Sequence, residues 1–340
     1  MKIKEQQPQL LQAVVDIVRE RYKGTLPNAT NTSNKLTHKY TLADIKELIN
    51  QEISVLLYEL TTEYTTFDIK CEQLCTIQID GESYQRPSFT VSFIADKLYI
   101  QKEQSSDTFA ANEINITSQN ELIEITNYNR TSYAGIPRNT FRGSLRFEIS
   151  DYRTLKGETK HAPILINTLP FMDYMKGIVE TNDTEHLEKN KVMAMISKNY
   201  ALFYLGKRNL HPSIPVTANF SAIDSPDMFQ KYVGAGAEKT LTKRYQALEA
   251  TKNQIILYNA TLPILPYFSC SAGFTLSAKE KYGRLDTPYL KSVYDFSACN
   301  DFSGHGVGLA GKGAEFFAQK GMNYQDILKY YYDGIEIVEI

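Results

Sequence analysis

The segment Ser88-Phe-Thr-Val-Ser-Phe-Ile94 carries a strand-like pattern. Its apolar residues Phe89, Val91 and Phe93 occupy every second position, which is typical of a strand with one buried face. The same alternation occurs in residues 76–80, 98–101, 122–126 and 144–149. The pattern therefore predicts a series of strands from about residue 63 to residue 168.

Helical spacing flanks this strand-rich region on both sides. Residues 8–22 are predicted to form one helix, and a second begins at Thr41, where Thr41 and Asp44 resemble a capping box. The apolar stripe of this second helix is Leu42, Ile45, Leu48, Ile49, Ile53 and Leu56. After residue 168, helices are expected from Leu169, over about 185–205, through 314–320 and over 324–332. The sequence thus predicts an α+β fold.

Composition excludes several classes of protein. The chain has 340 residues, of which 42% are hydrophobic, so it is not a disordered protein. No apolar run reaches the roughly 18 residues of a membrane-spanning helix. The formal net charge of -2 argues against broad electrostatic binding of nucleic acid. The first residues contain no apolar stretch of signal-peptide type.

Two segments carry residues suited to chemistry. Gly304-His-Gly-Val-Gly308 allows positive φ and close backbone approach, and His305 could bind a metal, move a proton or contact a sugar. It fails the phosphate-loop and dinucleotide patterns. In Tyr267-Phe-Ser-Cys-Ser-Ala-Gly-Phe-Thr275, Ser269 and Ser271 share one side if the segment is a strand. Cys270 and Cys299 could form a disulfide, or bind zinc with His305.

Arg130, Arg138 and Arg142 cluster near a loop between strands. They have two interpretations: they hold an anionic or sugar ligand, or they pair with nearby carboxylates.

Several motifs resemble one known family, in order along the chain. They are Asn167-Thr-Leu-Pro-Phe-Met-Asp-Tyr-Met-Lys-Gly-Ile-Val-Glu180, Lys191-Val-Met-Ala-Met-Ile-Ser-Lys-Asn-Tyr-Ala201, Gln230-Lys-Tyr-Val-Gly234, the Tyr267–Thr275 segment, Pro288-Tyr-Leu-Lys-Ser-Val293, Gly304-His-Gly-Val-Gly-Leu-Ala-Gly-Lys-Gly-Ala314 and Gly321-Met-Asn-Tyr-Gln-Asp-Ile327. The series resembles the stage II sporulation protein D (SpoIID) / amidase enhancer LytB family over about residues 120–340.

The resemblance implies a peptidoglycan lytic transglycosylase. Such an enzyme cleaves the β-1,4 bond between N-acetylmuramic acid and N-acetylglucosamine and leaves a 1,6-anhydro end. Glu180 is implied as its general acid and base, with Phe171, Ile178 and Val179 as apolar surroundings that raise its pKa. Aligning Glu180 requires a two-residue deletion; without it Asn182 takes the position. Glu185 and Glu188 are the nearby alternatives.

The resemblance also implies a set of cleft residues. Carried over by position, they are Lys198, Tyr232, Ser269, Ser271, Thr275 and His305. Lys198 stands where the family usually has Arg, Phe268 replaces a common His, and Cys270 a common Thr.

These inferences combine into one expectation. Residues 1–85 form an N-terminal helical module, and residues 86–340 form a SpoIID/LytB-like domain whose antiparallel strands and helices make a substrate groove. Peptidoglycan glycan strands are the expected partner, outside the cytoplasm, and no cofactor is needed. Two alternatives remain: a non-catalytic peptidoglycan-binding activator of an N-acetylmuramoyl-L-alanine amidase, and a zinc-dependent hydrolase using His305, Cys270 and Cys299.

Overall fold

Thr41 begins the first helix of the described chain. The computed structural model describes residues 39–94, 97–101, 108–118, 122–128, 135–205, 211–296, 299–300 and 302–340. The predicted capping box is present, because the Asp44 carboxylate accepts the Thr41 N–H at 2.8 Å and the Thr41 hydroxyl accepts the Asp44 N–H at 3.4 Å. The helix predicted over residues 8–22 lies outside the described residues.

The described chain alternates short helices with many strands. The helices are α1 (Leu42–Ile49), α2 (Tyr58–Glu63), α3 (Phe171–Gly177), α4 (Leu187–Leu205), α5 (Gly236–Thr240), α6 (Thr242–Thr251), α7 (Ala278–Tyr282), α8 (Gly311–Gln319) and α9 (Tyr324–Tyr331). The strands are β1 (Glu52–Leu56), β2 (Thr66–Ile79), β3 (Glu82–Ile94), β4 (Lys97–Gln101), β5 (Thr108–Ala111), β6 (Glu113–Ser118), β7 (Ile123–Ile125), β8 (Thr140–Phe141), β9 (Ser144–Arg153), β10 (Thr159–Pro170), β11 (Ala222–Ile223), β12 (Gln254–Leu257), β13 (Tyr267–Phe268), β14 (Leu309–Ala310) and β15 (Glu336–Glu339).

One large mixed sheet dominates the described part of the fold. Its main path runs β11-β1-β10-β9-β6-β2-β3-β4-β5, with β7 joining β2 to β8. Only the β1–β11 pair in this sheet is parallel among the described strands. Two small sheets, β12–β15 and β13–β14, lie outside it. The predicted α+β class with antiparallel strands is confirmed.

The main sheet spans the predicted domain boundary at residue 85. That boundary falls inside β3, and β1 pairs with β10 from Glu52 opposite Pro170 to Leu56 opposite Ile166. Residues 52–85 therefore contribute strands to the same sheet as residues 140–170. The predicted stripe of the second helix was also too long: α1 ends at Ile49, and Ile53 and Leu56 are buried from a strand instead.

Helix α4 crosses the interior and carries one side of the candidate site. Most of its residues are buried, including Val192, Ile196 and Phe203, and they lie on every face of the helix. Because no face is left to solvent, its sequence shows only a weak apolar stripe. It packs against α6, α8, α9 and β12. A helix held on several sides is a rigid support for the segments that meet at its surface.

Candidate functional site

Glu180 lies in the segment that joins α3 to α4. This segment runs beside the Gln230–Gly234 turn: the Val179 N–H donates to the Lys231 carbonyl at 2.8 Å, and the Val233 N–H donates to the Gly177 carbonyl at 3.0 Å. The Lys231 N–H in turn donates to Glu180 Oε1 at 2.7 Å. Main-chain and side-chain bonds together therefore fix the carboxylate in place.

Gly177 permits this close pairing. A Cβ at this position would come within 2.3 Å of the Tyr232 ring and 2.9 Å of the Gly234 carbonyl oxygen. A larger residue would push the turn away from the Glu180 segment. The glycine of the Lys-Gly-Ile-Val-Glu motif is thus required by packing.

A cleft of about 1140 Å³ opens in front of Glu180. Its walls come from residues 179–182, from α4, and from loops near residues 226–231, 266–269 and 303–305. Glu180 is half-buried in this lining. The predicted groove is therefore present, and it brings Glu180, Ser269 and His305 together.

Burial raises the pKa of Glu180 above its ordinary value. The Lys231 N–H, the Tyr267 hydroxyl and the charges of Lys231 and Arg244 oppose this rise, but burial outweighs them. A carboxyl with a raised pKa stays protonated to higher pH, so it can donate a proton under conditions where an ordinary glutamate is ionised.

The two alternative carboxylates are held in structural contacts. Glu185 pairs with Lys189 and accepts from the Thr181 hydroxyl and, at 3.1 Å, from the Asn182 N–H. Burial favours a higher pKa for Glu185, but these partners outweigh it and lower the pKa. The contacts favour Glu180 over Glu185 as a proton donor.

Glu188 is similarly engaged. It pairs with Lys191 at 2.7 Å and accepts the Tyr324 N–H at 2.8 Å. Burial acts to raise its pKa, and these contacts lower it overall. Asn182 accepts the Thr184 N–H at 2.9 Å and so stabilises the turn that follows Glu180.

His305 connects the glycine loop to the neighbouring strand. Its Nδ1 accepts the Val307 N–H at 3.1 Å, which places the proton on Nε2, and Nε2 lies 3.0 Å from the Tyr267 carbonyl oxygen. Burial lowers the pKa of His305, so the neutral ring is favoured. His305 lines the cleft, but both ring nitrogens hold protein atoms in place.

The positive φ expected of the glycine loop is present. The φ angles of Gly304, Gly306 and Gly308 are 114°, 83° and 83°. The close approach at Gly308 is to the chain itself, because a Cβ there would lie 1.9 Å from the Pro266 carbonyl oxygen. These glycines let β13 and β14 lie side by side.

Four of the residues expected to line the cleft lie behind its wall. Lys198 is fully buried, and its ammonium donates to the Thr251 and Lys252 carbonyls at 2.6 and 3.2 Å. Burial lowers the pKa of Lys198 to about 7. The Tyr232 hydroxyl donates to Asn167 Oδ1 at 2.7 Å inside the core. Both side chains point inward because α4 and the Gln230 turn present them to the core.

Ser271 and Thr275 are also fully buried. The Ser271 hydroxyl accepts the Gly273 N–H at 3.1 Å, and the Thr275 hydroxyl accepts the Val293 N–H at 3.0 Å. Ser269 is exposed in the cleft, whereas Ser271 is not, because β13 ends at Phe268 and the chain turns after it. The Ser271 and Thr275 hydroxyls therefore stabilise loops behind the cleft.

All four cysteines are paired in disulfides, Cys71 with Cys75 and Cys270 with Cys299. A cysteine in a disulfide has no thiolate to offer a metal, which argues against the zinc alternative. Within the described ranges, no cluster of three or more His, Cys, Asp or Glu side chains could hold a metal ion.

The arginines near the strand loop pair with carboxylates where they are described. Arg138 Nη1 lies 2.5 Å from Glu59 Oε2, and Arg142 Nε lies 2.6 Å from Glu238 Oε1. Arg130 lies outside the described residues.

Sequence reasoning missed three residues around Glu180. Lys231 and Tyr267 sit inside quoted motifs, but no pattern showed that both influence the pKa of one carboxyl group. Arg244 is buried, donates to the Lys176 and Met175 carbonyls at 3.1 and 2.6 Å, and contributes charge near Glu180. The only signal for Arg244 was a charged residue in a helix that is otherwise weakly amphipathic.

The part of the chain that holds Glu180 and Lys231 matches a known family. Residues 159–258, from β10 to just past β12, match the family described as Stage II sporulation protein (SpoIID). This match and the similarity to the relatives below support a SpoIID family assignment for this region, and that family suggests a cell-wall-related role.

Two relatives extend the similarity. The chain is 23% identical to "Stage II sporulation protein D" of Bacillus subtilis (strain 168), over 55% of this chain and 81% of that protein. It is 23% identical to an uncharacterized protein of Brachyspira hyodysenteriae (strain ATCC 49526 / WA1), over 58% of this chain and 77% of that protein. Among the described helices, none has the length and apolar character needed to cross a membrane.

Proposed function

We propose that the protein is a peptidoglycan lytic transglycosylase in which Glu180 is the general acid and then the general base. One observation carries this proposal: Glu180 is held in the cleft by the Lys231 N–H at 2.7 Å, and burial raises its pKa. Glu185 and Glu188, the neighbouring carboxylates, are engaged in ion pairs.

The reaction needs one proton carrier. Protonated Glu180 gives its proton to the glycosidic oxygen as the bond from that oxygen to the muramic C1 breaks. The resulting carboxylate then takes the proton from the muramic 6-hydroxyl while O6 bonds to C1. Glu180 is protonated again at the end, and no water is consumed. One carboxylate therefore suffices, whereas glycoside hydrolysis commonly uses two.

The cleft and its surroundings favour a polymeric substrate. Its volume of about 1140 Å³ exceeds the ~300–1,000 Å³ of most small-molecule sites. The lining combines aromatic rings, such as Tyr267, with hydrogen-bonding groups, such as Ser269. Sugars suit such a mixture, because they present both C–H faces and hydroxyls.

The two disulfides support an extracytoplasmic location. Stable disulfides form in oxidising compartments and are rare in the cytoplasm of mesophiles. Peptidoglycan lies outside the membrane, so the proposed substrate and the cysteine pairing point to the same compartment.

Digestion of purified peptidoglycan tests the proposal. Wild type, Glu180→Gln and Glu249→Gln are incubated with glycan strands, with and without stem peptides, and the products are read by mass spectrometry. Glu249 pairs with Lys252 on the surface, so this variant is a matched control for the Glu-to-Gln change. We expect anhydro ends from wild type and Glu249→Gln only.

Other outcomes would overturn the proposal. Anhydro ends from Glu180→Gln at the wild-type rate would remove Glu180 from the mechanism. No products from any variant, with all of them still pelleting with the glycan, would point to the amidase-activating partner instead.

A further inference from the structure

Four aromatic rings form one packed group at the edge of the cleft, here called the aromatic cluster: Tyr200, Tyr204, His211 and Phe229. Phe229 lies 5.3 Å from the Tyr200 ring, 5.8 Å from Tyr204 and 5.1 Å from His211. All four rings line the cleft. The proposed acid–base chemistry assigns no role to this group.

The aromatic cluster adjoins the acid. The Tyr200 ring centroid is 6.2 Å from that of Tyr267, whose hydroxyl acts to lower the pKa of Glu180 against the effect of burial. Tyr200 is also close enough for the Glu180 charge to act on its hydroxyl. A sugar bound against the cluster would therefore be a sugar next to the cleaved bond.

Hydrogen bonding sets the direction of the Tyr200 hydroxyl. His211 Nδ1 accepts the Ser213 N–H at 3.2 Å, so the ring proton is on Nε2. Burial lowers the pKa of His211 to about 4, which keeps the ring neutral. Nε2 lies 2.9 Å from the Tyr200 hydroxyl oxygen, so the imidazole donates and the tyrosine oxygen accepts. The Tyr200 proton is then available for a ligand in the cleft.

Beside this donor the surface is apolar. Phe229, Met228 and Tyr204 line the cleft with 7%, 5% and 8% of their surface exposed. A fixed hydroxyl donor next to a small apolar wall complements a group with a carbonyl and a methyl a few ångströms apart. An acetamido group has this shape, and a plain sugar hydroxyl does not.

We propose that the aromatic cluster recognises the N-acetyl group of the sugar bound beside Glu180, with Tyr200 donating to the acetamido carbonyl and Phe229, Met228 and Tyr204 packing on its methyl. This proposal rests on the proposed function and names the residues that set its sugar specificity. His211 is a positioning residue, because it acts through Tyr200.

Calorimetric binding to neutral tetrasaccharides tests this assignment. The probes are the tetramer of N-acetylglucosamine and cellotetraose, which carries a hydroxyl in place of each acetamido group. Measurements use the Glu180→Gln protein, so that binding is separated from cleavage. Tyr200→Phe is compared with Tyr245→Phe, because Tyr245 lies on the exposed side of α6.

The assignment predicts that the Glu180→Gln protein prefers the acetylated tetramer. Adding Tyr200→Phe should weaken that binding by roughly two- to tenfold and leave cellotetraose binding unchanged, so the preference falls. Adding Tyr245→Phe should change neither affinity.

Two results would overturn it. Equal affinity for both tetramers in the parent protein would remove the N-acetyl preference, and an equal loss of both affinities in Tyr200→Phe would show a purely structural role. Either result, together with anhydro products from wild-type digestion, would sink this assignment while the proposed function stands. Absence of anhydro products would instead count against the proposed function.

Discussion

The backbone N–H of Lys231 donates to Oε1 of Glu180 at 2.7 Å, while the Lys231 carbonyl accepts the Val179 N–H at 2.8 Å. One residue of the Gln230–Gly234 turn therefore holds both the main chain and the side chain of the Glu180 segment. The Lys231 ammonium adds a positive charge near the same carboxyl. Geometry and proton affinity at Glu180 both depend on this turn.

Replacing Lys231 with Met should change the pH dependence of cleavage. Met keeps the backbone N–H but removes the ammonium. Burial raises the pKa of Glu180 and the ammonium opposes this rise, so removing the ammonium should raise the pKa further. Because the first step needs protonated Glu180, activity falls as pH rises through its pKa, and a higher pKa moves this decline to higher pH. The rate of release of anhydro ends against pH measures the shift. Lys239→Met, at an exposed position, is the control. A Lys231→Met pH profile that overlays the wild-type profile would show that the ammonium does not set the pKa of Glu180.

Replacing Glu180 with Gln should stabilise the protein above acidic pH. The folded-state pKa of Glu180 is raised above its ordinary value of 4.5, so the native state binds this proton more tightly than the unfolded state. The resulting stability is fully present below about pH 4.5 and is lost as pH rises through the native pKa. In thermal unfolding, the stability of Glu180→Gln relative to wild type should be greater near pH 8 than at pH 4. A difference that is constant with pH would be inconsistent with a raised pKa.

Replacing Arg244 with Lys should destabilise the protein. The Arg244 guanidinium donates to two carbonyls at the end of α3, 3.1 Å from Lys176 O and 2.6 Å from Met175 O. A lysine cannot span both carbonyls with the same planar fork, and an unsatisfied buried carbonyl costs about 1–3 kcal/mol. Urea unfolding of Arg244→Lys should show a loss of that order. An unchanged midpoint would mean that α3 does not depend on this contact.

The two disulfides should differ in their contribution to stability. Cys270 and Cys299 are separated by 29 positions and Cys71 and Cys75 by 4. Loop-closure entropy gives about 4 kcal/mol for the longer loop and about 2 kcal/mol for the shorter. Paired Cys-to-Ala variants, compared by urea unfolding, should show the larger loss for Cys270 and Cys299. Equal losses would show that chain entropy does not set the difference.

The sequence was sufficient where a pattern is local. Period-2 alternation located β3, and Thr41 with Asp44 located the start of α1. The end of α1 was missed because Ile53 and Leu56 continue a helical spacing while lying on a strand. Over so short a run, apolar residues three positions apart do not distinguish a helix from a strand.

The candidate site was only partly predictable for a related reason. Glu180 and His305 both line the cleft, and each lies in a motif that is contiguous in sequence. Lys198 and Tyr232 were expected to face the cleft, but the side on which a buried helix or turn presents a residue depends on neighbours distant in sequence. The Tyr200–His211 bond could not be predicted, because it joins α4 to a loop beyond it.

Cleavage of purified glycan strands in water enriched in the heavy oxygen isotope tests whether Glu180 works without a water molecule. If Glu180 closes the 1,6-anhydro ring without water, mass spectrometry should find new muramic ends that carry no label and are one water lighter than hydrolysed ends. Glu180→Gln should produce none of these ends. Heavy oxygen at the new reducing ends would show hydrolysis and would contradict the single-carboxylate mechanism.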